Sequence, residues 1–260
     1  MNINPIQGGY TFGKGLIFAK FEGNSYWEEL GNAENFDVEV EVERDELQDN
    51  RFGVSRIADS QVTSVKVTLA MTLRQMTDRN RALGVMGSLG YMEQESAEEI
   101  EKVFESAKAN QLYELGGFDL TNIVVTDGDE LDPQTLVLGT DYLVDAATGI
   151  FQPLKDGNYH VTFDRSAILP DSGRLKTGLG GNPDQIAEVL YVGANRNGAR
   201  PIVRIWKARL TPSGARGYIS DSDRSTVEIE GEALADATRG LAEGDADEFA
   251  FGYEATIATS

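Results

Sequence analysis

The sequence contains no cysteine and only one histidine, His160. Without thiols the chain forms neither disulfide bonds nor thiolate metal sites. With no cysteine and one histidine, we expect no Ser-His nucleophile, no Cys-His nucleophile and no multi-histidine metal site. His160 stands at an alternating position of the segment 159–163, so we interpret it as a strand residue. We therefore expect a protein that is not an enzyme and that has no cofactor and no metal site.

Long apolar runs and basic residues are also scarce. No run approaches the roughly 20 residues that a membrane helix needs, so we expect no membrane span. The first ten residues have neither a basic nor an apolar stretch, which predicts no secretory signal. The chain has 23 Lys and Arg against 43 Asp and Glu, a formal net charge of −20. Such a charge repels nucleic acid, and it indicates either simple solubility or a surface that keeps a polyanion from adhering.

The strongest periodic signal runs from Phe36 to Arg74. Valines at 38, 40 and 42 alternate with acidic residues, and successive strand side chains point to opposite faces. This pattern predicts a strand with one apolar and one acidic face. A second alternating run at 62–74 predicts the partner strand of a long antiparallel hairpin, 36–74. The acidic face consists of Asp37, Glu39, Glu41 and Glu43.

A polar segment, 45–60, separates the two runs. It is far longer than the two to five residues that a hairpin turn needs, so we predict a long loop at the tip. Its mixed charge suits docking onto another protein surface. The charged residues that we assign to this contact are Asp45, Glu46, Asp49, Arg51, Arg56 and Asp59.

The rest of the chain is predicted to be mainly β-structure, with about eight core strands. The segment 77–87 has the pattern of a short helix, capped by Thr77 or Asp78 and ended by Gly87. The segment 95–110 is ambiguous. A capping box of Ser96 and Glu99 and apolar residues at helical spacing favour a helix there.

The middle of the chain changes character. Residues 118–165 contain five short strand patterns, at 121–125, 134–138, 142–145, 150–154 and 159–164, separated by turn residues. We predict an inserted β subdomain at 112–165, and a β core formed by 1–111 and 166–260. Asp127, Asp129 and Asp132 could bind calcium, but their spacing does not match a twelve-residue calcium loop.

The joint order of these signals resembles the major tail tube protein of long-tailed bacteriophages. Each segment alone is weakly specific, but together they span nearly the whole chain. The segments that carry the resemblance are GKGLIFA at 13–19, LGNAENFDVEVEVE at 30–43, VTSVKVTLAMTLRQMTDRNRALGVMG at 62–87, YELGGFDLTNIVVTDG at 113–128, LVLGTDYLVDAATGIFQPL at 136–154, EVLYVGANRNGARPIVRIWKARLTPSG at 188–214 and ISDSDRSTVEIEGEALAD at 219–236.

The resemblance implies a β-sandwich or barrel flanked by an α-helix, with six copies in a ring. Long hairpins would join edge to edge into an inner barrel with a wide lumen, and rings would stack into a virion tail tube. The segment 45–60 would bridge one ring to the next, and the insertion would lie outside or thicken the wall. The acidic face would line the lumen, where genomic DNA passes without specific binding. Comparable regions of the family are often extended at 95–110, which favours a strand.

The resemblance also implies partners and a place of action. The partners would be the tape-measure, tail terminator and baseplate or tip proteins, with assembly in the host cytoplasm. Other interpretations stay open at this point: the inner tube of a contractile tail or secretion system, a monomeric carbohydrate- or calcium-binding β module, and an acid–base enzyme that uses carboxylates. The acidic face could also simply be exposed on an exterior surface.

Overall fold

The computed structural model describes residues 13–49, 51, 53–129, 131–194, 200–219, 225–236, 238–239 and 249–257. The chain divides into two compact units. Unit 1 contains residues 1–89 and 177–260, and unit 2 contains residues 90–176. Both are mainly β-structure, as predicted. No described helix is long and apolar enough to cross a membrane.

Fourteen strands and two short helices make up the described fold. The first half contains β1 Gly15–Phe21, β2 Glu28–Glu29, β3 Ala33–Asp49, β4 Arg56–Leu73, α1 Asp78–Leu83, β5 Ala97–Ala107, β6 Tyr113–Glu114 and β7 Leu120–Thr126. The second half contains β8 Tyr142–Asp145, β9 Ile150–Pro153, β10 Gly157–Arg165, a 3-10 helix Pro170–Ser172, β11 Gln185–Gly193, β12 Arg200–Pro212, β13 Val227–Ala233 and β14 Gly252–Ile257.

Unit 1 is built on one eight-stranded antiparallel sheet. Its order is β2-β1-β11-β12-β13-β4-β3, and β14 pairs with β12 beside β13. The sheet curls, as one contact between distant strands shows. Phe36 of β3 stacks on Tyr191 of β11 with ring centres 5.5 Å apart, although three strands separate β3 from β11 in the sheet. The concave side encloses a single core. Its members from β1, β4 and β11–β13 include Ile17, Leu69, Met71, Val189, Leu210 and Ile229.

The predicted hairpin is confirmed, but the loop predicted at its tip is not. Strand β3 runs to Asp49 and β4 begins at Arg56, and the two pair along their whole length. Pairs such as Asp45–Gln61 and Asp49–Arg56 continue the ladder through the segment that we predicted as loop 45–60. Only 50–55 remains as the connection. The polar composition was misleading because a strand exposed on both faces needs no apolar alternation to pair its backbone.

The short helix is confirmed at its start and is shorter than predicted at its end. Thr77 is the N-cap, and its side-chain oxygen accepts a hydrogen bond from the N–H of Asn80. The helix ends at Leu83 with Gly84 as the C-cap, not at Gly87. Two residues later Met86 takes a positive φ of 49°, which is incompatible with continuing the helix.

Unit 2 consists of two three-stranded sheets, β5-β10-β7 and β6-β9-β8, around an aromatic core. Four of the five predicted short strands are present as β7, β8, β9 and β10. The segment 134–138 is not a strand and contributes two isolated bridges, between Thr135 and Thr126 and between Leu138 and Tyr142. The unit spans 90–176 rather than 112–165, because β5 pairs with β10 and so belongs to this unit.

The helix considered for 95–110 is wrong, since β5 is a strand over most of that segment. Ile100 and Phe104 lie four residues apart, a spacing that puts two side chains on one side of a helix and equally on one face of a strand. Both pack against the core of unit 2. Val103 separates the two possibilities, because a helix would bury it with them and the strand leaves it 59% exposed.

Candidate functional site: the projecting hairpin

The β3–β4 hairpin is much longer than the sheet that carries it. Strand β13 pairs with β4 only from Thr68 to Leu73. Beyond the Glu39–Thr68 pair, the hairpin therefore projects past the rest of the sheet. We call residues 40–67 the arm. At about 3.4 Å per residue, the strand from Val40 to Asp49 extends roughly 30 Å. Nearly all of its side chains are exposed.

One face of the arm is apolar and continues the core side of the sheet. The register places Val38 opposite Leu69, Val40 opposite Val67 and Val42 opposite Val65. Leu69 is buried in the core of unit 1, and Val67 packs against that core. We define the apolar face as the exposed aliphatic residues on this side of the hairpin, which are Val38, Val40, Val42, Ile57, Val62 and Val65. Toward the tip, Arg44, Glu46, Gln48 and Ser60 lie on the same side.

Two irregularities in the ladder determine which β4 residues lie on this face. The register shifts between Glu43 and Arg44, which leaves Thr63 of β4 without a partner residue in the ladder. It shifts again between Leu47 and Gln48, which leaves Ala58 of β4 without one. Strand side chains alternate with period two, so Val62 would otherwise lie on the opposite face from Val65. The first shift brings Val62 to the apolar face. By itself it would move Ile57 to the opposite face, and the second shift restores Ile57 to the side of Val65. A bulge of this kind re-aims a side chain.

The opposite face of the hairpin is acidic, as the alternation predicts. Asp37, Glu39 and Glu41 line a shallow depression of about 490 Å³. Strand β13 adds Glu230 and Glu232 to it. Five carboxylates therefore share this surface with only two cations, Lys66 and Arg209. Glu43 continues the same face outward, where it pairs with Ser64.

The cations leave much of this surface negative. Arg209 lies 2.9 Å from a carboxylate oxygen of Asp184 and 3.9 Å from one of Glu232. Lys66 stands opposite Glu41 in the ladder. The remaining carboxylates on this face form no ion pair in the described part of the chain, so the surface repels a polyanion that approaches within about 8 Å at physiological salt.

The residues assigned to the tip are spread along the hairpin rather than gathered in a loop. Asp45, Glu46 and Asp49 lie on β3, whereas Arg56 and Asp59 lie on β4. Arg51 alone lies in the connection, where its guanidinium donates two hydrogen bonds to Asp49, at 2.8 and 2.6 Å. This contact holds the pKa of Asp49 below its usual range. The register puts Asp45, Asp49, Arg56 and Asp59 on the side of the acidic face and Glu46 on the other.

A second polar cluster, which no local sequence pattern indicates, lies on β11 and β12. Glu188 is almost fully buried and accepts hydrogen bonds from Arg204 at 2.8 and 2.6 Å. The Arg204 guanidinium lies 5.0 Å from the ring centre of Trp206 and 5.6 Å from that of Trp27. Burial disfavours its charge, but the hydrogen bonds to Glu188 and Tyr253 outweigh burial and raise the pKa of Arg204.

This cluster brings together the two tryptophans of the chain, which are far apart in sequence. Alternation at 202–210 marks Arg204 and Trp206 as neighbours on a strand, but nothing in the sequence connects them with Trp27 or Glu188. A guanidinium lies against the indoles, so they do not form an open aromatic platform for a sugar. The cluster is therefore structural in character.

The described residues contain no group of three or more His, Asp or Glu side chains placed to hold a metal ion. Asp127 instead accepts hydrogen bonds from the N–H groups of Asp129 and Gln134, which is a turn arrangement. His160 lies on β10 opposite Val103, with its Nε2 3.7 Å from Glu101.

The chain belongs to the family described as "Protein of unknown function UCP028589", whose model matches residues 10–244. No curated protein matches the chain.

Proposed function

We propose that this family member is a major tail tube protein of a long-tailed bacteriophage. In this role it is a structural virion protein that self-assembles into rings of six copies, the number that the resemblance implies, and the rings stack into a conduit for genome delivery. The observation that carries the proposal is the arm. It projects about 30 Å beyond its sheet, has two chemically distinct faces, and has strand edges that the described part of the chain leaves unpaired.

The free edges of the arm lie on opposite sides of the hairpin. The outer edge of β3 has no partner strand in the described chain, and β4 pairs only with β3 over Arg56–Val67. Exposed strand edges of this length promote pairing with another chain. Pairing the β3 edge of one copy with the β4 edge of the next is a head-to-tail contact, which closes into a ring when the rotation permits. Closure removes every free edge and produces a barrel.

The charge of the arm decides which face lines the lumen. Asp37, Glu39, Glu41 and Glu43 on the inside of such a barrel repel DNA phosphates, so the genome slides through without specific binding. Every ring repeats the same repulsion. The residues nearest the tip, from Asp45 to Asp59, reach toward the next ring and form the contact between rings. Unit 2 then decorates the exterior or thickens the wall.

A tail tube protein has defined partners and a defined place of action. Its partners are other copies of itself and the tape-measure, tail terminator and baseplate or tip proteins. It functions in the virion tail after assembly in the host cytoplasm, without catalysis. The inner tube of a contractile tail or secretion system would use the same arm, and the requirement for a separate sheath protein distinguishes it. A monomeric sugar- or calcium-binding module has no observation in its favour.

The test compares the wild-type protein with a variant that lacks the arm. Replacing residues 44–63 by Asn-Gly, a favoured two-residue hairpin turn, removes β3 beyond Glu43 and most of the unpaired edge of β4. The variant keeps Leu69, Met71 and Leu73 in the core, so it stays folded. In sedimentation velocity the wild type should form large assemblies as its concentration rises, and the variant should stay monomeric. Identical behaviour of the two proteins would contradict the proposal.

A further inference from the structure

We infer that the apolar face of the arm is covered by a second copy of this chain. The inference rests on the proposed function and goes beyond the pairing of strand edges. Edge pairing uses only backbone groups in the plane of the sheet, and it leaves both faces of the arm as they are. The apolar face therefore needs a separate occupant.

The inner part of the apolar face is more continuous than an ordinary exposed surface. Val38, Val40, Val42 and Val65 lie next to one another with no polar residue of that side among them, and Val40 is 60% exposed. Single exposed apolar residues are common on proteins, whereas contiguous patches indicate an interaction site. The first register shift in β4 adds Val62 to this side, opposite Arg44. Ile57 lies farther out, beyond the Glu46–Ser60 pair.

The described part of the chain does not cover this face itself. The core of unit 1 ends at Leu69 on β4, with Phe36 and Val67 packed only partly against it. From Val38 outward, the valines on the same side are exposed. The apolar face is thus a continuation of the core side of the sheet beyond the point where the unit's own elements cover it.

Charge identifies the occupant as another copy. The chain carries a net charge of −20, so two copies repel each other across most surfaces. The acidic face of the arm adds to this repulsion. The apolar face has no charged residue between Val38 and Val42 or at Val65 and Val67, and charge appears only from Arg44 outward. It is the side of the arm on which a second acidic copy can pack.

Edge pairing brings that copy to the right place. When arms lie side by side in a closed barrel with their acidic faces inward, all of their apolar faces point outward. The core of each copy lies on that same outward side, because the apolar face continues from Leu69. The body of an adjacent copy is then the nearest surface that can cover the arm.

The absence of cysteine makes a direct test possible, because a single introduced thiol is the only one present. Val40→Cys places it on the apolar face. Glu41→Cys, the matched control, places it one residue away on the acidic face. Both positions are exposed in the single copy, so neither substitution disturbs the core and both thiols should react rapidly with a small neutral maleimide. Labelling is measured for dilute monomer and for assembled protein.

Assembly should slow the labelling of Val40→Cys by at least about tenfold, since access limits the reaction of a thiol, and should leave Glu41→Cys unchanged. A second variant, Val65→Asp, should be folded but fail to assemble, whereas Ser64→Asp on the acidic side should assemble. Assembly with equal labelling of both thiols would overturn this inference and leave the proposed function standing. Failure of the wild type to assemble at any concentration would overturn both.

Discussion

At the scale of single residues, Gly231 shows how closely the strands of unit 1 pack. A Cβ at this position would lie 2.7 Å from Cγ of Leu69 and 3.0 Å from Cδ2 of Leu210. We expect Gly231→Val to destabilise unit 1 by about 1–3 kcal/mol, because extra carbon atoms in a filled core force neighbours to move. Urea unfolding followed by tryptophan fluorescence measures this, since Trp27 and Trp206 both lie in unit 1.

The control for this substitution is Glu230→Val, on the same strand but exposed to solvent. Its effect should stay within about 0.5 kcal/mol, as is usual for surface positions. Equal stability of the two variants would show that the space around Gly231 is less restricted than the structure indicates.

Glu188 stabilises the position of Arg204 between the two indoles. Removing the carboxylate by Glu188→Ala leaves a partly desolvated guanidinium without its partner, so we expect a loss of about 3 kcal/mol in the free energy of unfolding. Glu188→Gln keeps an oxygen that accepts from Arg204 and should cost clearly less. The same fluorescence-detected unfolding compares the two variants. An equal loss in both would mean that the charge of Glu188 matters and its hydrogen bonding does not.

At the scale of elements, the tip of the hairpin carries the proposed contact between rings. Replacing residues 47–58 by Asn-Gly shortens both strands but keeps the Glu46–Ser60 pair and everything nearer the sheet. We expect this variant to form rings that do not stack, because the lumen strands remain while the contact to the next ring is lost. Electron microscopy of the assembled variant distinguishes single rings from tubes, and tubes of normal length would show that the tip has no bridging role.

In unit 2, hydrogen bonds stabilise the charged form of Asp164. The N–H of Glu99 and then the side chain of Asn122 hold the pKa of Asp164 below its usual range. A depressed pKa stabilises the folded state above the ordinary carboxylate pKa, and this contribution is lost as the pH falls through the lower folded value. Asp164→Ala should therefore lower the melting temperature at pH 6 and make progressively less difference below pH 4, roughly the ordinary aspartate pKa.

Circular dichroism melts of the wild type and Asp164→Ala at a series of pH values measure this difference. Asp171→Ala is a suitable control, since Asp171 lies on the exposed short 3-10 helix of the same unit. A difference between wild type and Asp164→Ala that stays constant or grows on acidification would contradict the assignment.

Strands could be predicted from the sequence only where apolar and polar side chains alternate regularly. The alternation at 36–43 predicts the first strand of the hairpin and the alternation at 62–74 predicts the second, because a strand places successive side chains on opposite faces. The same reasoning failed at 45–60, where the strands are exposed on both faces and their side chains carry no such alternation. It was ambiguous for β5 because a four-residue spacing suits both a helix and a strand. The Trp27–Arg204–Trp206 cluster depends on long-range pairing of β1, β11 and β12, which no local pattern reveals.

At the scale of the whole molecule, the acidic face is proposed to keep DNA from adhering to the lumen. Changing Glu39, Glu41 and Glu43 to Lys should leave tubes that assemble but release the genome slowly, because the reversed charge attracts phosphates. Fluorescence of a DNA-binding dye outside triggered virions measures the release. A control with the same change in net charge reverses Glu98, Glu101 and Glu105, exposed residues of β5 in unit 2. Normal release from the acidic-face variant would show that this face does not line the lumen.

The central claim is that copies of this chain form a hollow tube through their arms. Negative-stain electron microscopy of the purified wild-type protein at high concentration, with light scattering on the same sample, tests it most directly. The account predicts rings or tubes with a central channel, and a scattering mass far above the 28.3 kDa of one chain. A mass that stays at 28.3 kDa at every concentration, with no rings or tubes in the images, would contradict it.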